Sequence, residues 1–293
     1  GGPQTDRLPT TIFGEHENAA ESDASHGAIP QNEIEAASIR LIKKSYQKAC
    51  KVPSDLNAAI ARITSKAHGI WASARQNEDI TEYLPILNEI ISLKREKATA
   101  LAEVGTCYDS LADEYEPGMS TADISVMFDE LRPTLVSLRK EILSKDKMPS
   151  VNGNFDEKIQ LELAEELAVI FGYDLSKGRI DKAVHPFSSG FGDDVRITTR
   201  TDPLDPFNCI YSTIHEVGHA TYEQNINKDY NFTPLGRGVS LGVHESQSRI
   251  FENQLGRSRA FTHWLFHRMK DLFGDFGIED PETFYKCINQ VNS

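Results

Sequence analysis

The chain has 293 residues, in which 31 lysines and arginines stand against 44 acidic residues, giving a formal net charge of -13. This acidic balance argues against a nucleic-acid partner, and no apolar run approaches the roughly 18 residues of a membrane span. The cysteines Cys50, Cys107, Cys209 and Cys287 are dispersed without a C-x-x-C pair. This dispersal predicts reduced thiols that bind no metal, in the cytoplasm or an organelle.

Residues 1–30 are poor in aliphatic side chains and rich in Gly, Pro, Ser and acidic residues. Such a segment can bury too little apolar surface to order itself, so we expect a loose tail. The rest of the chain, residues 31–293, is expected to form one helical domain.

Five stretches between residues 31 and 172 show apolar residues at helical spacing, and we expect these stripes to form the core. Ser120 is placed to cap the fourth helix, and Gly172 to end the fifth. The stripes contain Ile39, Leu41, Ile42 and Tyr46; Leu56, Ile60, Ile63, Ala67 and Ile70; Leu84, Leu87, Ile90, Ile91 and Leu93; Ile124, Met127, Phe128, Leu131, Leu135, Leu138 and Ile142; and residues 155–171.

The pattern changes after residue 180. Gly and Pro interrupt the helical period, and "VRITT" (195–199) alternates with β-branched residues as a strand does. A helix is predicted to begin at Pro206, and after a Gly-rich loop (231–242) one long helix is predicted over 243–273. The sequence thus predicts a mainly α protein with little strand.

The segment "TIHEVGHATYEQ" (213–224) contains the motif H-E-x-x-H. His215 and His219 lie four apart, so a helix places both imidazoles on one face, where they can bind one ion. Glu216 projects at another angle and can accept a proton from a water on that ion. A salt-linked surface helix explains the motif equally well, so a third ligand is needed to decide.

Several glutamates are candidates for that ligand. Glu223 lies one turn beyond His219 on the same helix, too far along the axis to complete a tetrahedron. Glu245 and Glu252 lie on the next helix, as the second glutamate of gluzincins does, and Glu252 is better explained by packing or by support of a ligand. The metzincin continuation is excluded, because Tyr222 and Asn225 occupy its Gly and His positions.

Four motifs in order, "HPFSSGF", "DVRITTR", "HEVGH" and "SLGVHESQSRIFEN", resemble those of the carboxypeptidase Taq family of zinc metallocarboxypeptidases. The likeness covers roughly residues 33–292. It implies that His215, His219 and Glu245 bind the metal and that Glu216 is the general base. The H-P-F and D-x-R-x-T motifs place His185, Arg196 and Thr198 on the substrate side.

The resemblance also implies a mostly helical peptidase fold with a small sheet beside a deep groove. One zinc ion is expected per chain, with cobalt or another divalent metal as a substitute. Peptides with a free C-terminus are the implied substrates, cleaved at the terminal residue, and the implied assembly is a homodimer. Measured against the family, the sequence begins after the position of the first helical hairpin and lacks two later motifs, so we expect a chain truncated at both ends.

Other interpretations remain for several residues. His185 can be a loop histidine without a substrate role, and Arg196 can pair with Asp194. His244 points away from its neighbour Glu245, which favours packing or support of a ligand over metal binding. For the whole chain, two hypotheses stand: a zinc carboxypeptidase, or a non-catalytic relative that serves as a structural subunit of a larger assembly.

Overall fold

A computed structural model describes residues 32–102, 105–145 and 147–291, so the predicted tail lies outside the described residues. No helix in these ranges is both long and apolar enough to cross a membrane. All four cysteines are described, and none forms a disulfide. The helices are α1 (Glu33–Lys51), α2 (Ser54–Asn77), α3 (Tyr83–Leu101), α4 (Cys107–Ala112), α5 (Thr121–Leu143), α6 (Glu157–Ile170), α7 (Pro206–Gln224), α8 (Leu241–Arg249), α9 (Arg259–Phe273) and α10 (Pro281–Ile288).

Several helix boundaries lie where the sequence predicts them. Ser120 accepts a hydrogen bond from the backbone N–H of Asp123, whose carboxylate bonds back to Ser120, a capping box that starts α5. Gly172 follows α6 with φ +91°, a conformation that glycine adopts at little cost. Pro206 is the first residue of α7, where its missing N–H costs no helical hydrogen bond.

Helix α7 lies at the centre of the molecule. One of its faces packs through Ile210 and Ile214 into an apolar core shared with α6, α9 and α10. Its other face packs through Val217 and Ala220 against the sheet. Burial on both sides fixes α7 firmly, which makes it a rigid support for the side chains that it presents.

The sheet has three strands in the order β1–β3–β2, with bounds β1 (Ile180–Lys182), β2 (Ser188–Phe191) and β3 (Asp194–Thr199). Strand β1 runs parallel to β3, and β2 runs antiparallel to it. Val195 and Ile197 of β3 are fully buried against α7. The predicted strand at 195–199 is confirmed, together with the expected mainly helical architecture and its small sheet.

The prediction of a single helix over 243–273 is wrong. Helix α8 continues into a π-helical turn, Ile250–Leu255, which stops at Gly256, and α9 begins separately with Ser258 as its cap. The carbonyl of Gly256 accepts a hydrogen bond from the Tyr211 hydroxyl, 3.0 Å away, so the break is held against α7. π-Helical turns often occur at functional sites, and this one carries Glu252.

The prediction that every helical stripe forms core is wrong for α1 and α5, which have no buried residue. Phe128 and Leu138 on α5 are each about half exposed, at 51% and 50%. An apolar stripe is buried only where another surface packs on it, and no element in the described part of the chain covers this face. The stripe of α6 is buried as predicted, with Leu163 and Leu167 in the core.

Candidate metal centre

Helix α7 presents both histidines and the glutamate of the H-E-x-x-H motif on one side of the molecule. The imidazole rings of His215 and His219 have their centroids 4.9 Å apart. Both rings are partly buried, and Glu216 is buried, with 7% of its surface exposed. The spacing of four residues therefore places the two imidazole rings side by side, as the sequence predicts.

Helix α8 brings the carboxylate of Glu245 to these rings. Its Oε2 atom lies 3.3 Å from Nε2 of His219 and 3.6 Å from Nε2 of His215. One ligand atom from each of the three residues lies within 4.8 Å of the others. Ligand atoms about 2 Å from a tetrahedral zinc ion stand roughly 3.3 Å apart, so the two separations from Glu245 match such an ion, and two imidazoles with one carboxylate are a donor set that zinc accepts.

A carboxylate supports His215 on the side of its ring that faces away from Glu245. Nδ1 of His215 is 2.8 Å from Oε2 of Glu252. Glu252 is itself held by Arg249 at 3.1 Å and by Arg257 at 3.4 Å. Glu252 therefore holds the ring of a proposed ligand, one of the two roles that the sequence favours, and Arg249 pairs with the carboxylates of both Glu245 and Glu252.

His219 has a different support. Its Nδ1 is 2.6 Å from Nδ1 of His244, and Nε2 of His244 is 2.8 Å from Oε1 of Glu223. The sequence favours a packing or supporting role for His244, and the structure places its ring directly behind the proposed ligand. Among the described residues, the atoms that converge come from His215, His219 and Glu245, and Glu223, one turn further along α7, is not part of this group.

Burial and neighbouring charges shift the proton affinities at this centre. Burial raises the pKa of Glu216 to about 7, with Glu245 raising it further against the opposing effects of His215 and His244. Burial also lowers the pKa of His219 to about 4, with the positive forms of His215 and His244 adding to the effect. Burial opposes the charged form of His215 as well, yet the carboxylates of Glu252, Glu216 and Glu245 raise its pKa overall.

A pocket opens beside His215 and Glu216 and includes one of the three predicted substrate-side residues. His185 lines this pocket, and its ring lies 6.4 Å from that of Trp71. Arg196 and Thr198 are not among the pocket residues. Arg196 instead pairs with Asp194 through two hydrogen bonds of 2.8 and 3.0 Å, the alternative left open by the sequence.

Thr198 shapes the loop that carries the H-P-F motif. Its hydroxyl accepts the backbone N–H of Phe187 at 2.9 Å and lies 3.3 Å from the carbonyl of His185, to which it can donate. Thr198 thus influences the pocket through the loop backbone rather than as part of its lining.

Sequence reasoning missed Arg200, which lines the same pocket as Glu216. Its Nε donates to Oδ1 of Asn208 at 2.7 Å. Among the described residues no other hydrogen bond or ion pair holds this guanidinium, so its two terminal amino groups are available. The signal in the sequence is the last residue of "DVRITTR", which follows directly after β3.

The family described as carboxypeptidase Taq (M32) metallopeptidase matches this chain over residues 5–293. The chain belongs to the carboxypeptidase Taq family. The match confirms the resemblance drawn from the motifs and begins upstream of residue 33, where that resemblance starts.

Relatives within the carboxypeptidase Taq family cover most of this chain. It is 38% identical over 270 residues to thermostable carboxypeptidase 1 of Thermus thermophilus, covering 87% of this chain and 53% of that protein. It is 36% identical over 266 residues to thermostable carboxypeptidase 1 of Pyrococcus furiosus, covering 89% of this chain and 53% of that protein. The chain therefore spans about half the length of these relatives.

Solved structures of the family share the fold. The structure of the Pyrococcus furiosus carboxypeptidase superimposes with a TM-score of 0.81 at 34% identity, covering 91% of this chain and 55% of that one. The M32 carboxypeptidase from Deinococcus radiodurans superimposes with a TM-score of 0.79 at 33% identity, covering 90% of this chain and 54% of that one. The arrangement of helices and sheet around the candidate centre is thus that of the carboxypeptidase Taq family.

Proposed function

We propose that His215, His219 and Glu245 bind one zinc ion and that this centre hydrolyses the last peptide bond of peptides with a free C-terminus. The observation that carries the proposal is the convergence of the three ligand atoms, all within 4.8 Å of one another, on two helices. Glu216, which lines the same pocket as His215, is the proposed general base. Cobalt or another divalent metal is expected to substitute for zinc, because the donor set is not exclusive.

The reaction assigns a separate task to each group of residues. Zinc, when bound, supplies Lewis acidity that polarises the scissile carbonyl and lowers the pKa of water. Glu216 takes the proton of the attacking water and passes it to the leaving amine. A carboxylate can perform both steps, because it accepts a proton as a base and gives it up again as an acid.

The pocket beside Glu216 is the proposed place for the end of the substrate. A terminal carboxylate needs a cation with free hydrogen-bond donors, and Arg200 offers two terminal amino groups there. His185 lines the same pocket and remains a candidate substrate contact. We assign Arg196 and Thr198 the less direct role of supporting β3 and the H-P-F loop.

A non-catalytic structural role is the second candidate, and one observation favours it. The apolar face of α5 is exposed along its length, including Met127, Leu131 and Leu135. Exposed apolar surfaces of this kind mark contacts with another polypeptide. A homodimer, which the family resemblance implies, is one such contact, and light scattering on the purified chain tests it.

One experiment separates the two candidates. The purified chain is stripped of metal, reloaded with zinc, and assayed on an N-blocked dipeptide with a free C-terminus and on the matching C-terminal amide. Release of the terminal residue that depends on zinc and on the free carboxylate supports the peptidase. Turnover that survives exhaustive chelation rejects a metallopeptidase, and bound zinc without turnover favours the structural role.

A further inference from the structure

A chain of three side chains runs behind the proposed metal ligand His219. Nδ1 of His219 meets Nδ1 of His244 at 2.6 Å, and Nε2 of His244 meets Oε1 of Glu223 at 2.8 Å. His219 and Glu223 lie on α7, one turn apart, while His244 comes from α8 and bridges them. His244 precedes Glu245 directly in sequence. Helix α8 therefore contacts His219 of α7 through two consecutive residues, His244 and Glu245.

We infer that His244 and Glu223 are positioning residues that fix the ring of His219 for metal binding. The inference rests on the proposed zinc function and adds to it Glu223, which lies outside the four motifs, and a defined role for His244 of the fourth motif. Within the described part of the chain, His244 is the sole hydrogen-bond partner of Nδ1 in His219. Loss of this bond would leave the imidazole free to rotate about its side-chain bonds. An imidazole that is not held in one orientation binds an ion less tightly.

The hydrogen-bond directions follow from the role of His219. A histidine binds a metal through an unprotonated nitrogen, here the Nε2 that lies 3.3 Å from Glu245, so the ring hydrogen resides on Nδ1. Nδ1 then donates to Nδ1 of His244, which must accept and therefore carries its own hydrogen on Nε2. That hydrogen is donated to Glu223. With this tautomer of each ring, every N–H of the two histidines has an acceptor. The carboxylate of Glu223 therefore selects the tautomer that leaves Nε2 of His219 able to bind the ion.

The loop before α8 is shaped around this chain, which is a second and independent observation. A Cβ atom on Gly238 would lie 2.8 Å from Cδ2 of His244 and 3.2 Å from Oε1 of Glu223. The edge of the Tyr222 ring packs against His244, with centroids 5.1 Å apart and planes at 85°. The side chains of His244 and Glu223 are accordingly only 21% and 13% exposed. A glycine is required there because the backbone closes directly over the histidine–glutamate pair.

The two proposed histidine ligands are therefore supported differently. Nδ1 of His215 reaches a carboxylate directly, that of Glu252 at 2.8 Å. Nδ1 of His219 reaches Glu223 through one intervening imidazole. His244 acts as the spacer because Glu223 stands on the same helix as His219 and their side chains do not bond to each other.

The test compares two substitutions of His244 in the whole chain. Asparagine places its carbonyl oxygen near the position of Nδ1 and still accepts the hydrogen of His219, whereas leucine fills space and accepts nothing. Zinc affinity is measured by competition with a chelating dye, and the absorption of the cobalt-loaded protein reports the geometry of the site. His267→Leu, a change at an exposed histidine of α9, is the matched control.

We expect His244→Leu to weaken zinc binding by about 10- to 100-fold, while His244→Asn stays within a few-fold of the parent chain. The cobalt spectrum should broaden or shift in the leucine variant and stay close to the parent in the asparagine variant. The pair Glu223→Leu and Glu223→Gln should rank in the same order, which keeps the test valid if His244→Leu fails to fold.

Two results would overturn the inference. Equal zinc affinity in the parent chain and in folded His244→Leu would show that the ring of His219 needs no support. An equal loss in the asparagine and leucine variants would show that the shape of the imidazole matters rather than its hydrogen bond. A parent chain that binds no zinc contradicts the proposed function instead, so the two failures are distinguishable.

Discussion

Gly218 of α7 and Ser248 of α8 are in direct backbone contact: a Cβ atom on Gly218 would lie 2.5 Å from the Cα of Ser248. Ser248 is fully buried, and the carbonyl of Gln247 would stand 2.9 Å from the same Cβ. The glycine inside H-E-V-G-H therefore lets α8 approach closely enough for Glu245 to reach the two histidines. The motif thus contributes to the position of the third proposed ligand as well as to that of the first two.

Gly218→Ala is expected to push α7 and α8 apart. Because the new methyl group meets backbone rather than a movable side chain, we expect a loss of about 1–3 kcal/mol in the free energy of unfolding, with weaker zinc binding. The control is Gly69→Ala in α2, where an added Cβ meets nothing within 4 Å. That change should stabilise the protein by about 0.5–1 kcal/mol. Urea unfolding measures both, and equal effects in the two variants would contradict the close-contact argument.

Glu245→Ala should weaken zinc binding more than any change at Glu252. Glu245 supplies one of three proposed ligand atoms. Its removal should lower the zinc affinity by more than about 100-fold, whereas loss of a supporting residue typically lowers metal affinity by about 10- to 100-fold. Glu252→Gln should cost about 10- to 100-fold, because Nδ1 of His215 loses a charged acceptor. The sequence taken by itself predicts that Glu245→Ala, and not Glu252→Ala, cuts the metal content sharply, and the contact of Glu252 with His215 leads us to expect a smaller loss at Glu252 as well. Zinc titration in both variants is the measurement, and identical affinities would remove Glu245 from the ligand set.

Glu216→Gln should separate metal binding from chemistry. The substituted amide keeps the size of the side chain but cannot take a proton, so the hydrolysis rate should fall by about 10²- to 10⁴-fold while zinc content stays unchanged. Both quantities are measured on the same preparation with a blocked dipeptide. Undiminished turnover with a full complement of zinc would show that another group activates the water.

The sequence predicts the local parts of this molecule better than the contacts between distant parts. The spacing of His215 and His219, the cap at Ser120 and the strand at 195–199 each depend on a few neighbouring residues, and all are confirmed. Helical periodicity also identifies the apolar stripe of α5 correctly. It carries no information about what covers that stripe, so the prediction of burial is wrong.

The sequence favours packing or support of a ligand for His244 and Glu252, but it does not show which atoms these side chains bond. The bond from His219 to His244 joins residues 25 apart in sequence, and it depends on how α8 packs against α7. Arg200 was overlooked because the motif D-x-R-x-T draws attention to Arg196, which faces Asp194 instead. Both cases require the three-dimensional positions of two elements, which single-sequence patterns do not contain.

Asp113 provides a test at a distance from the metal ligands. Its carboxylate binds Lys48 and Lys44 of α1 and accepts the backbone N–H of Gly118. Tyr115 and Glu116, in the same turn, accept backbone N–H groups from the first two residues of α8. Burial alone would raise the pKa of Asp113. The hydrogen bonds from Lys48, Gly118 and Lys44 outweigh this effect and lower the pKa to about 2. Because the folded pKa lies below the unfolded value, the stabilisation is complete above about pH 5 and is lost as the pH falls towards 2.

Asp113→Asn should therefore cost up to about 2 kcal/mol at pH 7, and the gap to the parent chain should narrow below pH 4. Asp129→Asn, at an exposed position of α5, serves as the control and should change stability by less than about 0.5 kcal/mol. Unfolding in urea at several pH values gives the comparison. A gap that stays constant down to pH 3 would mean that the carboxylate charge of Asp113 contributes nothing.

Arg200 makes the sharpest prediction about substrate. Arg200 lines the pocket that contains Glu216, so Arg200→Gln should lower kcat/KM for a dipeptide with a free C-terminus by about 10- to 100-fold, the value of charge-assisted hydrogen bonds. Any residual cleavage of the C-terminal amide should be unaffected, because that substrate has no carboxylate to bind. Arg200→Lys should fall between, since lysine keeps the charge but loses the planar fork.

The competing assignment is tested in the same assay. Arg62→Gln, at an exposed position of α2 outside the pocket, is the control and should leave kcat/KM unchanged. Arg196→Gln removes the arginine that the sequence motif suggests, and its pairing with Asp194 predicts a much smaller effect on the preference for free acid over amide. If Arg196→Gln abolishes that preference while Arg200→Gln retains it, the carboxylate binds at β3 and the role proposed for Arg200 is wrong.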